Sequence, residues 1–185
     1  MHKRGHAGFA LLAYLPVLAV GTASEEWSVL TLIGVVALAD IARPVALLTG
    51  WNLSLSLAML PDIDQQLPQV THRGFTHTIW FVLTVSLCGA GLGFLLATVF
   101  PIPGGVASPA MVGLFCGYLC VHALGTHLLA DVVTPMGLRP LWPVSDWHVS
   151  LNLLRAANPT ANRVLYLMGV STTVILLVAI HGFPP

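Results

Sequence analysis

From Thr76 to Phe100 the sequence contains no Asp, Glu, Lys or Arg, and from Ala110 to Ala130 it again contains none. At about 1.5 Å per helical residue, either run is long enough to cross a hydrocarbon layer of about 30 Å. The Pro/Gly-rich turn at 100–109 also lacks charge, so the two runs form a hairpin that only lipid can solvate. Composition agrees: 56% of the 185 residues are hydrophobic and 8% are charged, against about 25% charged in a typical soluble domain. Mean hydropathy is +0.86. The expected fold class is an all-α, polytopic helical membrane protein. No shift in composition divides residues 1–185, which read as a single domain.

Further apolar runs cover about 7–22, 29–60 and 163–181. The first follows Lys3 and Arg4 and has the layout of a signal peptide ending at Gly21-Thr22-Ala23. The runs that follow it, and the histidines at its start, favour a first spanning helix. Residues 29–60 are too long for one straight crossing and are interrupted by Asp40, Arg43-Pro44 and Gly50-Trp51-Asn52, so a break at Pro44 or near Gly50 is expected. Asp40 and Arg43, three apart, read as a structural ion pair. The resulting expectation is four spanning helices and an irregular second segment.

If 29–60 makes one net crossing, the N-terminus, the 61–75 loop and the 132–162 loop share a side. Of the seven Lys and Arg residues, Lys3, Arg4, Arg73, Arg139, Arg155 and Arg163 then lie on that side, and only Arg43 does not. Such a bias places the shared side in the cytoplasm. Net charge is zero and no basic run occurs, so nucleic acid is not an expected partner. Cys88, Cys116 and Cys120 sit inside apolar runs and read as small core residues rather than a disulfide framework.

The remaining polar residues gather at the ends of these runs on the shared side. His6 precedes the first helix, and Asp62 and Asp64 follow the second segment. His72 and His77 bracket Arg73-Gly74-Phe75-Thr76, and His127 and Asp131 close the fourth apolar run at i, i+4, one above the other on a helix face. Mixed imidazole and carboxylate donors suit a divalent metal: zinc, with manganese or iron as alternatives, as one or two ions. The candidate ligands are therefore His6, Asp62, Asp64, His72, His77, His127 and Asp131. His122 points to another helix face, and His148 is a weaker candidate still. Arg73 is a candidate to hold a phosphate bidentately, or else to orient an aspartate or anchor the loop. Thr76 is placed to cap the third helix.

Leu60-Pro61-Asp62-Ile63-Asp64, His72-Arg73-Gly74-Phe75-Thr76-His77-Thr78, His127-Leu128-Leu129-Ala130-Asp131, Pro135-Met136-Gly137 and Leu141-Trp142-Pro143 together resemble the YdjM-like family, inner-membrane-associated proteins assigned as metal-dependent hydrolases. A weaker likeness extends to zinc-dependent phospholipase C and the P1-type nucleases, which order an early His, an Asp, a His and a helical HxxxD around zinc. The resemblance implies a metal-dependent hydrolase in the plasma membrane acting on an ester, a phosphoester or phospholipid being the expected class. Arg73 and Asp64 are then the catalytic candidates, Arg73 stabilising phosphate charge and Asp64 relaying a proton. Membrane lipids are the expected partners. The rival readings are a transporter whose ionisable residues line a path through the helices, and a membrane protein whose metal is purely structural.

Overall fold

The computed structural model describes residues 1–23, 42–67, 72–101 and 108–181. Among these residues the fold is all-helical: α1 (Lys3–Ala23), α2 (Ala42–Leu57), α3 (Ile79–Val99), α4 (Pro109–Val132) and α5 (Pro159–His181). Two short 3-10 turns, Pro61–Gln66 and Phe75–His77, stand between α2 and α3. The sole sheet-like element among the described residues is an isolated bridge between Leu138 and Val149.

The helix starts follow local chemistry. Thr78 caps α3 by accepting a hydrogen bond from the Phe81 amide, and Ser108 caps α4 by accepting one from Met111, with Pro109 in the first turn. Asn158 accepts from the Thr160 and Ala161 amides at the head of α5, where Pro159 again occupies the first position. Thr76, two residues before the α3 cap, does not cap it.

α4 is the central element, packed against α1, α2 and α3, while α1 also runs along α5. Both long seams depend on missing side chains. A Cβ on Gly113 would lie 2.8 Å from the Ala90 carbonyl oxygen, and one on Gly169 would lie 2.8 Å from that of Gly8. Close backbone approach of this kind is how helices associate where no water drives them together. Cys116 and Cys120 serve the same α3–α4 seam, their sulfurs resting against Gly93 and Gly89. All three cysteines are free.

The break expected near Pro44 or Gly50 is absent: α2 passes through both positions. Gly50 instead makes room for Tyr14, whose phenol fills the space a Cβ would take. The proposed Asp40–Arg43 pair lies outside the described residues.

Among the described residues, α3 and α4 are the two helices long and apolar enough to cross a membrane. The outer face of α3 exposes Leu83, Leu87, Phe94, Leu95 and Val99, and α5 exposes Leu167, Met168 and Ile175. Rows of exposed large apolar residues of this kind mark surfaces that contact lipid or another protein.

Candidate metal centre

The fold brings the heads of α1, α3 and α5 and the tails of α2 and α4 to one end, and five of the seven candidate ligands meet there. His127 and Asp131 come from the last two turns of α4, and His6 comes from the first turn of α1. After α2 the chain tightens into the Pro61–Gln66 turn, which aims Asp62 inward and carries Asp64 behind it. His77 ends the turn Phe75–His77. His6, His77, His127 and Asp131 are each at most 1% exposed.

The inner atoms form a tight set. His77 Nε2 lies 3.2 Å from His127 Nε2. Asp131 Oδ2 is 3.4 Å from the first and 3.6 Å from the second, and Asp62 Oδ1 is 3.7 Å from each. A tetrahedral site with bonds of about 2.0–2.1 Å has edges of about 3.3–3.4 Å. His6 addresses the opposite oxygens of the same carboxylates, its Nε2 3.6 Å from Asp131 Oδ1 and 4.0 Å from Asp62 Oδ2. Its ring stacks on His127 with centroids 3.8 Å apart.

Tautomers follow from the surroundings. His127 Nδ1 lies 2.6 Å from the Ala58 carbonyl oxygen, which can only accept, so Nδ1 carries the hydrogen. His77 Nδ1 faces Asp64 Oδ2 at 3.3 Å and Thr76 Oγ1 at 3.0 Å, and the Thr76 hydroxyl already donates to Asp64. In neutral imidazoles both Nε2 lone pairs therefore point inward at two carboxylates. Asp131 Oδ2 and both His6 nitrogens are buried without a hydrogen-bond partner. Buried polar atoms left in this state are costly unless a cation resolves them.

Charge on the members that lie outside the long helices reflects the cluster. Burial alone would raise the Asp62 carboxyl, but His77, His127 and His6 outweigh it and hold it down to about 2. His77 is pushed up: burial works against its charged form, and the Asp131 and Asp62 carboxylates overcome that. Asp64 is likewise held below the usual carboxylate range, because His72, Thr76 and the Arg73 amide outweigh its burial.

The other candidates lie outside the inner set. Asp64 is fully bonded: Oδ1 to His72 Nδ1 at 2.9 Å, and Oδ2 to the Arg73 amide at 3.0 Å and to Thr76 at 2.8 Å. His72 is partly exposed on the far side of Asp64. Arg73 turns its guanidinium inward, donating from Nη2 to Asp131 Oδ1 and from Nη1 to the Gly137 carbonyl, both at 2.7 Å. Its backbone sits at φ +60°, a left-handed conformation that costs a non-glycine residue about 1–3 kcal/mol. The amide bond to Asp64 and the ion pair to Asp131 hold it there. The amino group of Met1 also reaches Asp131 Oδ1, at 2.8 Å. His122 bonds the Ala10 carbonyl between Tyr14 and Tyr118, and His148 bonds the Met136 carbonyl at the surface. Neither joins the cluster.

A family model described as YdjM inner membrane protein matches residues 1–183. The chain belongs to that family. It is a membrane protein of the YdjM family, and the resemblance carried by its His and Asp motifs is thereby confirmed. The inner membrane proteins YdjM of Escherichia coli (strain K12) and of Shigella flexneri are each 33% identical to it over 114 residues, covering 52% of this chain and 50% of theirs. The chain thus spans about half the length of these curated relatives. No solved structure matches it.

Sequence reasoning missed the outer supports of the site in this YdjM-family chain. Backbone carbonyls at Ala58 and Gly137 leave no trace in side-chain patterns. Thr76 was visible only as a cap candidate. The hydroxyl two places ahead of Thr78 was the available signal, since one helix start needs one cap. If the cluster holds zinc through His77, Asp64→Asn is expected to weaken that affinity about 10–100-fold, the usual effect of removing a group that orients a metal-ligating histidine. Competition with a zinc-chelating dye measures it; unchanged affinity would remove Asp64 from that role.

Proposed function

We propose that this protein is a membrane-embedded, metal-dependent hydrolase of esters, with phosphoesters as its substrate class. The observation that carries the reading is the set of inward Nε2 and carboxylate atoms at tetrahedral spacing, among which Asp131 Oδ2 is buried and unpartnered. His77 Nε2, His127 Nε2, Asp62 Oδ1 and Asp131 Oδ2 would hold one divalent ion, zinc by donor chemistry, with manganese or iron as alternatives. His6 Nε2 and Asp62 Oδ2 would be the donors available to a second ion, Asp131 Oδ1 being taken by Arg73 and the Met1 amino group. An ion bound here supplies an acidified water and a Lewis acid for a phosphoryl or carbonyl oxygen.

The chain's own residues do the rest. Asp64, Thr76 and the Ala58 carbonyl fix the two imidazoles with Nε2 inward. Arg73 holds Asp131, so its role is positioning rather than gripping substrate. A purely structural metal is the less apt reading, because the cluster is not closed on all sides: Asp62 is only partly buried and lines a cleft of about 710 Å³.

In this reading α1, α3, α4 and α5 cross the inner membrane, and the segment that ends in α2 brings the chain back across it, because the head of α1 and the tail of α2 share one end. The basic bias puts the metal end in the cytoplasm. Trp142, Trp147, Leu151 and Leu153 are exposed at that end, as residues seated at headgroup level are, which favours lipid or lipid-linked substrates.

The test is metal analysis of detergent-purified protein together with hydrolysis of bis-p-nitrophenyl phosphate and phospholipid, before and after chelation. One or two divalent ions per chain and chelator-sensitive hydrolysis are expected. Absence of tightly held metal would overturn the metal centre; metal without hydrolysis of any ester would overturn the enzyme. Zinc affinity is also expected to rise with pH. In the metal-free protein the neighbouring carboxylates favour the His77 imidazolium, so protons compete for Nε2 at low pH and cease to compete above its raised titration. Affinity measured across that range that stays flat would count against His77 as a ligand.

A further inference from the structure

The cleft that reaches Asp62 lies between the first turn of α1, the Pro61–Gln66 turn and the first turn of α5. Three cationic side chains line it, Lys3 and Arg4 from α1 and Arg163 from α5. All three belong to exposed residues, and none pairs with a carboxylate among the described residues, where the Arg ion pairs are those of Arg73 and Arg139. Asp62 is the one acid on the wall, and its carboxylate faces His6, His77 and His127. At about 710 Å³ the space falls within the range of about 300–1,000 Å³ typical of small-molecule sites. Meanwhile Arg73, which the sequence offers as the phosphate ligand, has its guanidinium committed to Asp131 and the Gly137 carbonyl.

We infer that this cleft is the anion subsite of the protein, where Lys3, Arg4 and Arg163 hold a phosphate-bearing group beside the Asp62 edge of the metal centre. Two guanidinium groups offer planar forks to phosphate oxygens, and the ammonium adds a point charge. Three cations from two helices on the wall of one cleft, without a carboxylate partner among the described residues, suit a group with two charges better than a neutral ester. The subsite rests on the hydrolase reading for its purpose but not for its binding chemistry. A lipid headgroup and a soluble phosphoester share that chemistry.

Binding of inorganic phosphate to the full chain tests it, by calorimetry in detergent at low ionic strength on zinc-loaded and chelated protein. Lys3→Gln, Arg4→Gln and Arg163→Gln are each expected to weaken phosphate binding about 2–5-fold, as exposed charges do, and the triple variant at least about tenfold. Bound zinc stays at the wild-type level, Arg4→Lys recovers part of the loss, and Arg139→Gln, outside the cleft, changes nothing. Phosphate binding by the triple variant equal to wild type, or no phosphate binding by wild type, overturns the subsite. Loss of zinc in the triple variant also overturns it, because the residues would then be supporting the metal end. Failure of the hydrolase reading looks different: absent metal or absent hydrolysis, with phosphate binding by the chelated wild type still sensitive to the three substitutions. Nanodiscs of phosphatidylcholine with and without phosphatidic acid separate the sources. Competition by the acidic lipid assigns the subsite to a headgroup, and its absence assigns it to a soluble phosphoester; either leaves the anion subsite standing.

Discussion

If the cluster is the metal-dependent hydrolase centre proposed above, Asp131→Asn is expected to empty it, lowering zinc affinity by more than about 100-fold and abolishing hydrolysis. The expectation exceeds the effect of disturbing an outer support because Asp131 touches everything at once. Its Oδ2 faces the Nε2 atoms of His77 and His127, and its Oδ1 faces His6 Nε2 and accepts from Arg73. Asparagine keeps the shape but removes the charge and can turn an amide hydrogen toward the ion. Metal analysis after gel filtration measures the loss, and circular dichroism shows whether the helices persist. A variant that folds and keeps its full complement of metal would take Asp131 out of the ligand set and the centre with it.

Arg73→Met is the second large effect, and its sign depends on what fills the site. In metal-free protein the substitution leaves Asp131 with the Met1 amino group as its remaining cationic partner and strands the Gly137 carbonyl, so the loss lies below the roughly 3–5 kcal/mol of a buried charge left wholly unpaired. A bound divalent ion neutralises Asp131 from its other face, so the penalty shrinks in zinc-loaded protein. Denaturant unfolding with and without zinc should therefore show a larger loss without it. Arg73→Lys falls between, since an ammonium cannot serve Asp131 and Gly137 as one planar fork. Equal losses in both states would mean that Asp131 is no part of a cation site.

The helical class and the two longest spans were legible because uncharged runs of that length have few other solutions. His127 and Asp131 were legible too, since i, i+4 on a helix leaves no choice of face. Asp62 and Asp64 were not separable. They follow α2 in a 3-10 turn, where neither the period of a helix nor that of a strand tells which acid points inward. Arg73 was misleading for a related reason: a residue type suited to phosphate suits a carboxylate equally, and the partner lies 58 residues away. Lys3, Arg4 and Arg163 registered only as topology signals, because their convergence depends on α1 lying against α5. The expectation of a break in α2 failed at Gly50, where smallness serves Tyr14 rather than the backbone.

The order in which the ribosome delivers the cluster adds a consequence. His6, Asp62 and His77 are synthesised well before α4 is complete, yet two of the four inner atoms lie in its last two turns. A nascent chain therefore holds an incomplete set of donors until α4 docks against α1 and α2. An ion captured at that moment would add to the Arg73–Asp131, Met1–Asp131 and His127–Ala58 links that already tie these segments together. In the proposed reading biogenesis would then finish with metallation, and a cell short of the ion would accumulate inserted helices whose His and Asp cluster stays unfilled.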